Sequence, residues 1–269
     1  SAHTVMCDVE LPYMLEHPES LGHQSVKEPR IGQSAGKEFA YVLGVFLGDG
    51  CVTPKETKRL LNGKPSNPVF RLNTIDEDFA NAVASALRKI SDKKPWIGKH
   101  AVKGSKNPNY SLRCPDIALC SMLLTDTQYK KCIPQYVVEW PRELQVQFVI
   151  GLMDSEGYVA EHKGSHTNRR FQMGFKSCDV WVRDLHTLME RIGIKASSVK
   201  DLEPYRSHYK KSTRINIKMQ SWIDSGARFN IKRKQDKIDM FAAHGAYEQR
   251  RFRPRKPASE TVREGAKCA

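Results

Sequence analysis

Asp49 and Glu156 are the residues whose type and setting point most directly to chemistry. Each closes an apolar, helix-like run, FAYVLGVFLGDGCV at 39–52 and QFVIGLMDSEGYVA at 147–160. Both runs carry a glycine, four intervening residues, an acid and a second glycine. Gly44 and Gly48 lie one helical turn apart, as do Gly151 and Ser155, and small residues at that spacing let two helix backbones approach closely. A seam between the two helices is therefore expected, with Gly44, Gly48, Gly151 and Ser155 as its interface. Gly50 and Gly157 are expected to stop the helices as left-handed C′ residues. The two carboxylates would then stand side by side at adjacent helix C-termini, where the helix ends and each other's charge oppose ionisation. A hard divalent cation, Mg²⁺, would relieve that conflict. Two carboxylates completed by phosphate oxygens suit metal-assisted phosphodiester hydrolysis. Two solvated helix-end acids are the bland alternative, disfavoured because the same costly arrangement occurs twice.

The flanks repeat as well. Beyond each glycine come a short extended stretch, a polar insert (55–68, and the turn at 163–168) and a strand, VFRLNT at 69–74 and RRFQMGFK at 169–176. An amphipathic helix follows in each half, marked by Phe79, Val83, Leu87 and Ile90, and by Val182, Leu185, Leu188 and Ile192. Two further strands are expected per half, at 96–102 and 110–113, and at 195–202 and 213–219. The order αββαββα, twice, makes an α+β fold of two pseudo-symmetric repeats, at 37–138 and 139–245. Residues 1–36 form an irregular extension with several prolines, and 246–269 form a basic tail read as solvated chain.

The pair LGVFLGDG (43–50) and IGLMDSEG (150–157) resembles the LAGLIDADG homing endonucleases, in the two-repeat single-chain form. That resemblance covers roughly residues 37–245. It implies two four-stranded antiparallel sheets forming a DNA-binding saddle, joined by the two-helix seam, and a chain that acts as a monomer. It implies cleavage of both strands across the minor groove, leaving short 3′ overhangs. The metal is expected at Asp49 and Glu156 with Gly48 and Ser155 beside them; Mn²⁺ would substitute for Mg²⁺, and Ca²⁺ would bind without supporting cleavage. The family also places a basic residue near each metal. Lys232 is the best match in the second half, with Lys234 as alternative; Lys131 or Lys130 serves in the first. Such a lysine could polarise water, stabilise charge on phosphorus or simply contact phosphate. Another polar residue often ends the second strand, where Lys176 fits and Thr74 is the nearest counterpart.

Strand alternation assigns the ligand face. Arg170, Gln172 and Lys176 oppose Phe171, Met173 and Phe175, while Arg214, Asn216 and Lys218 oppose Ile215, Ile217 and Met219. In the first half Arg71 and Asn73 oppose Phe70 and Leu72, Lys99 and Lys103 oppose Trp96 and Val102, and Arg113 adds a further cation. Faces rich in Arg, Lys, Asn and Gln and nearly free of acids suit the DNA major groove. The formal charge of +14 agrees with a polyanionic partner.

Composition removes other classes. No apolar run approaches the ~20 residues a membrane helix needs, and no secretory signal is read at the N-terminus. The seven cysteines are scattered with no C-x-x-C pair, as for reduced thiols. An intracellular, reducing compartment is expected, either a prokaryotic cytoplasm or an organelle matrix. An intron-RNA maturase, with RNA as a partner, and a non-catalytic DNA-binding regulator are the competing functions. Both acids being present argues against the regulator. An intein is disfavoured, since no terminal His-Asn or splicing block flanks the repeats.

Overall fold

A computed structural model of the chain describes residues 36–54, 68–102, 104, 107–163, 169–203 and 211–244. The N-terminal extension to residue 35, the inserts at 55–67 and 164–168, Lys103 and the basic tail lie outside the described residues. The first motif forms α1 (Gly36–Leu47), continuous with β1 (Cys51–Pro54), β2 (Pro68–Thr74), α2 (Glu77–Ile90), β3 (Trp96–His100) and β4 (Asn109–Cys114). Two helices, α3 (Ile117–Asp126) and the short α4 (Gln135–Glu139), lead to the second motif on α5 (Arg142–Ser155). Then follow β5 (Gly157–Lys163), β6 (Arg169–Ser177), α6 (Val182–Arg191), β7 (Ala196–Leu202), β8 (Ser212–Ile217), α7 (Met219–Asp224) and α8 (Lys232–His244).

The expected double order is present, with one helix more than expected closing each half. Both sheets are four-stranded and antiparallel, in the matching orders β1-β2-β4-β3 and β5-β6-β8-β7. Each sheet turns an apolar face to the helices, through Phe70, Leu72 and Leu112 in the first and Met173, Phe175, Ile215 and Ile217 in the second. One continuous cluster of buried apolar side chains runs through both halves. No described helix is long and apolar enough to cross a membrane.

The seam between α1 and α5 is the close contact that the small residues imply. A Cβ on Gly44 would lie 2.1 Å from the Phe148 carbonyl oxygen, and one on Gly151 would lie 2.2 Å from that of Tyr41. A Cβ on Gly48 would meet the Cβ of Ser155 at 2.4 Å. Backbone thus rests on backbone, reciprocally, along the seam. The motif-ending glycines behave otherwise than expected. Among the described glycines only Gly104, Gly193 and Gly226 have positive φ, so Gly50 and Gly157 are not left-handed caps. They are required for space: a Cβ on Gly50 would lie 2.8 Å from Phe46 Cα, and one on Gly157 2.4 Å from the Met153 oxygen. The strand leaves each helix so tightly that it presses back on the last turn.

Neither Gly44 nor Gly151 can gain a methyl group without moving the opposing backbone. Gly44→Ala and Gly151→Ala are each expected to lower stability by about 1–3 kcal/mol or more, read as a reduced Tm. Ala replacing Lys37 on the exposed side of α1 should leave Tm nearly unchanged.

Candidate functional site

The seam delivers the two motif acids to one place. Asp49 follows the end of α1 in a turn and is exposed, whereas Glu156 is the C-cap of α5 and is half-buried. A Cβ on Gly48 would stand 3.5 Å from Glu156 Cγ, which shows how near the two helix ends are. Burial chiefly, and then the charge of Asp49, push the Glu156 carboxyl up to about 7. Asp179, at the start of the α6 turn, pushes in the same direction, while Lys130 and Lys234 oppose it.

Those two lysines complete the site. Lys130 Nζ donates to the Gly48 carbonyl at 2.5 Å and to that of Gly50 at 3.1 Å. Lys234 Nζ donates to the carbonyls of Met153 at 2.8 Å and Asp154 at 2.7 Å. Each ammonium therefore caps the negative end of one motif helix, where a cation is favoured. Lys234 is only 4% exposed, and this burial pulls its ammonium down to about 8. Among the candidate lysines, Lys130 and Lys234 are the ones whose amines reach the helix ends. Lys131 is exposed, and Lys232 Nζ turns outward to Asp236 at 2.7 Å, so neither is the lysine at the helix ends. In the second half this reflects helical phase. Lys232 begins α8, and two residues on, Lys234 has rotated to the inner face.

Gly48 and Ser155 lie against each other beside the two acids. The Gly48 carbonyl accepts from Lys130, and the Ser155 hydroxyl donates to the Gly151 carbonyl at 3.1 Å. Asp154 is a residue that sequence reasoning missed. It is 1% exposed and accepts from Tyr41 Oη at 3.0 Å, Asn230 Nδ2 at 3.0 Å and the Asn230 backbone N–H at 3.2 Å. Burial raises its pKa although Asn230 and Lys234 act against the shift. The signal was an acid within an apolar motif, at the position where the first repeat has Leu47.

The outer sheet faces collect most of the polar residues expected there. In the second sheet Lys176 pairs directly with Arg214, which pairs on its other side with Lys200. In the first, Arg71 pairs with Arg113. Like charges directly across a ladder destabilise a sheet, and Arg71 and Arg214 each keep a buried Nε–H without a hydrogen-bond partner. Gln172 Nε2 and Tyr158 Oη both donate to Asn216 Oδ1, at 3.0 and 2.9 Å, and Asn216 Nδ2 donates to Ser198. Asn73 accepts from the Ser111 hydroxyl. Arg170 lies in β6 opposite His162.

Three assignments change. On β3 the alternation runs opposite to that expected: Trp96 is opposite Arg113 and Gly98 opposite Ser111, whereas Lys99 is opposite buried Tyr110. The polar face therefore presents Trp96, 51% exposed and 5.6 Å from the Arg113 guanidinium, and Lys99 stands on the other side. Lys218 falls past the end of β8, as the N-cap of α7. Finally, Thr74 accepts from the Asp76 N–H at 3.1 Å and Ser177 from that of Asp179 at 3.4 Å. These equivalent turns align Thr74 with Ser177, so the counterpart of Lys176 is Asn73.

Motif, element order, sheet topology and seam together form one pattern. The chain resembles the LAGLIDADG homing endonucleases. Among solved structures it is similar to I-DmoI in complex with DNA and Mn, at 17% identity and a TM-score of 0.48, over 71% of this chain and 94% of that one. It is similar to I-WcaI bound to its DNA recognition sequence, at 11% identity and a TM-score of 0.49, over 76% and 86%. It is also similar to I-SmaMI bound to uncleaved DNA target in the presence of calcium ions, at 10% and 0.47, over 77% and 92%. These are likenesses of fold at low identity. No family model and no curated protein matches the sequence.

The raised Glu156 carboxyl has a consequence for stability in metal-free buffer. Its folded-state pKa of about 7 lies above the ordinary 4.5, so the folded chain holds the proton more tightly than the unfolded chain does. The stabilisation from that proton is complete below pH 4.5 and is lost as the pH rises through 7. Glu156→Gln, which never ionises, should therefore be more stable than the native chain at pH 8, by roughly 1–3 kcal/mol. The advantage should vanish near pH 4.5, as followed by denaturant unfolding with chelator present.

Proposed function

We propose that this chain is a site-specific, divalent-metal-dependent DNA endonuclease of the LAGLIDADG homing type. The observation that carries the reading is the joint placement of Asp49 and Glu156 at two apposed helix ends, with Lys130 and Lys234 capping those ends. Glu156 and Asp49 repel each other, and no folding requirement calls for two acids there. Such an arrangement is retained where it has a use. The outer sheet faces point the same way, since their laddered Arg and Lys residues need an anionic partner.

Among the described residues no cluster of three or more His, Cys, Asp or Glu is present. A Mg²⁺ site does not require one, because this ion keeps several waters and takes one or two carboxylates plus substrate phosphate oxygens. Asp49 and Glu156 fit as its hard oxygen donors, and burial together with the charge of Asp49 raises the Glu156 pKa in spite of the two lysines, an imbalance that a bound dication would offset. A bound Mg²⁺ would activate water and polarise the scissile phosphate. Lys130 and Lys234 would supply fixed positive charge beside the carboxylates, where charge builds on phosphorus. Arg71, Asn73, Arg113, Gln172, Lys176, Arg214 and Asn216, with Trp96, would contact DNA in the major groove. Acting as a monomer in a reducing compartment would accord with two catalytic halves in one chain and scattered thiols.

The test is cleavage of a randomised duplex library with Mg²⁺, comparing the native chain with Asp49→Asn and Glu156→Gln. Double-strand cuts with short 3′ overhangs at one sequence are expected, lost in both variants while binding persists. Mn²⁺ should replace Mg²⁺, and Ca²⁺ should give binding only. Undiminished cleavage by both variants would overturn the assignment of the acids. Specific binding without cutting by the native chain would favour a regulator or an RNA maturase.

A further inference from the structure

Lys130 and Lys234 each belong to one half, yet the other half contributes contacts that hold each of their segments. The two holding elements are equivalent. Thr74 and Ser177 form matching turns with Asp76 and Asp179, and the same register aligns Asp78 with Trp181. Asp78 stands in the first turn of α2, and Trp181 is the N-cap of α6.

The second-half lysine rides on α8, whose first turn reads Lys232, Arg233, Lys234 and contains no acid. A helix N-terminus disfavours cations and leaves its first N–H groups unpartnered. The first half supplies what α8 lacks. Asp78 accepts from the Lys232 backbone N–H, an N-cap given in trans. Asp76 takes the Arg233 guanidinium through two bonds, of 2.6 and 2.7 Å, and its side chain is only 12% exposed. These contacts fix the start of α8, two residues from Lys234.

The first-half lysine ends a strained run. Gln128, Tyr129 and Lys130 have φ of 48°, 58° and 67°, three successive non-glycine residues in the left-handed region. Each such residue is strained and persists only where the surroundings over-determine it. The Thr127 hydroxyl accepts from the Lys130 N–H at 3.0 Å. The Lys130 carbonyl is held by the other half, accepting from the Trp181 indole N–H at 3.1 Å. Trp181 is 1% exposed and packs on Phe175 of its own sheet, so the donor is rigidly mounted.

We infer that the N-terminal ends of α2 and α6 are reciprocal positioning elements, each setting in trans the lysine of the opposite half. Asp76 and Asp78 position Lys234, and Trp181 positions Lys130. Neither ammonium then reaches its helix end unless the halves are docked, which ties the assembly of both cutting centres to one event. This use of the lysines rests on the nuclease reading; the cross-half positioning itself does not.

Two readouts on the full chain test it. The first needs no DNA: amine-reactive labelling of individual lysines, read by mass spectrometry. In Asp76→Ala/Asp78→Ala, Lys234 labelling should rise about tenfold or more while Lys130 stays near its native rate, since a local opening exposes only its own segment. Trp181→Phe, which keeps a ring but loses the N–H, should show the converse. Asp78→Asn retains an acceptor for the cap and should leave Lys234 protected. The second readout is strand-resolved cleavage. The double Asp variant should slow the same strand as Lys234→Met, by about ten- to a hundredfold, and Trp181→Phe the same strand as Lys130→Met. Equal exposure of both lysines, or equal slowing of both strands, would reduce these contacts to general stabilisation and overturn the inference. Should Trp181→Phe not fold, the half-buried Asp pair decides alone. Selective labelling in a native chain that cuts no duplex would sink the nuclease reading and leave the positioning intact.

Discussion

Everything at the candidate site follows from how closely α1 and α5 approach. With Gly44 against the Phe148 carbonyl and Gly151 against that of Tyr41, the two helices meet backbone to backbone. Side chains of ordinary size would hold them apart and separate their C-termini. Contact at this distance instead brings Asp49 and Glu156 within each other's field and desolvates one of them. Those acids occupy the negative ends of two helices and repel one another. The structure tolerates this because an ammonium from each half is bound to the terminal carbonyls.

A second unfavourable arrangement occurs on the sheets. Lys176, Arg214 and Lys200 stand in one rung, and Arg71 faces Arg113. Their apolar faces are packed as any folding sequence requires, yet their polar faces set like charges side by side. Conflicts of this kind, inside an otherwise consistent fold, are where function is expected to reside. On the function proposed above, DNA phosphates would relieve the conflict on the sheets and a divalent cation the one between the carboxylates.

The halves are related but not equal. The seam aligns Leu47 with Asp154, and that one difference gives the second half a buried carboxylate binding Tyr41 across the seam and Asn230 ahead of α8. Lys234 rides on a regular helix and is almost fully buried, whereas Lys130 closes a left-handed run and is half-buried. Single-chain duplication permits such divergence, since each copy needs to fit only its partner.

Much was legible in the sequence because it depends on local pattern. Paired glycines at helical spacing gave the seam, alternation on β2, β6 and most of β8 gave the sheet faces, and the repeated flanks gave the topology. What failed did so where a neighbour decides. Gly50 and Gly157 are glycines for lack of room, not for a left-handed turn, and only the packed chain reveals which. On β3 the phase depends on pairing with β4, which sets Lys99 on the side of Tyr110 and turns Trp96 to the polar face. Which of Lys130, Lys131, Lys232 and Lys234 meets a helix end likewise depends on contacts with a segment far away in the chain. By itself, then, the sequence determined the repeat, the seam and the two acids, since these rest on spacing along one helix or strand. Tertiary structure alone decided which lysines, which strand phase and which supporting residues join them, because those are set by contacts between segments distant in sequence.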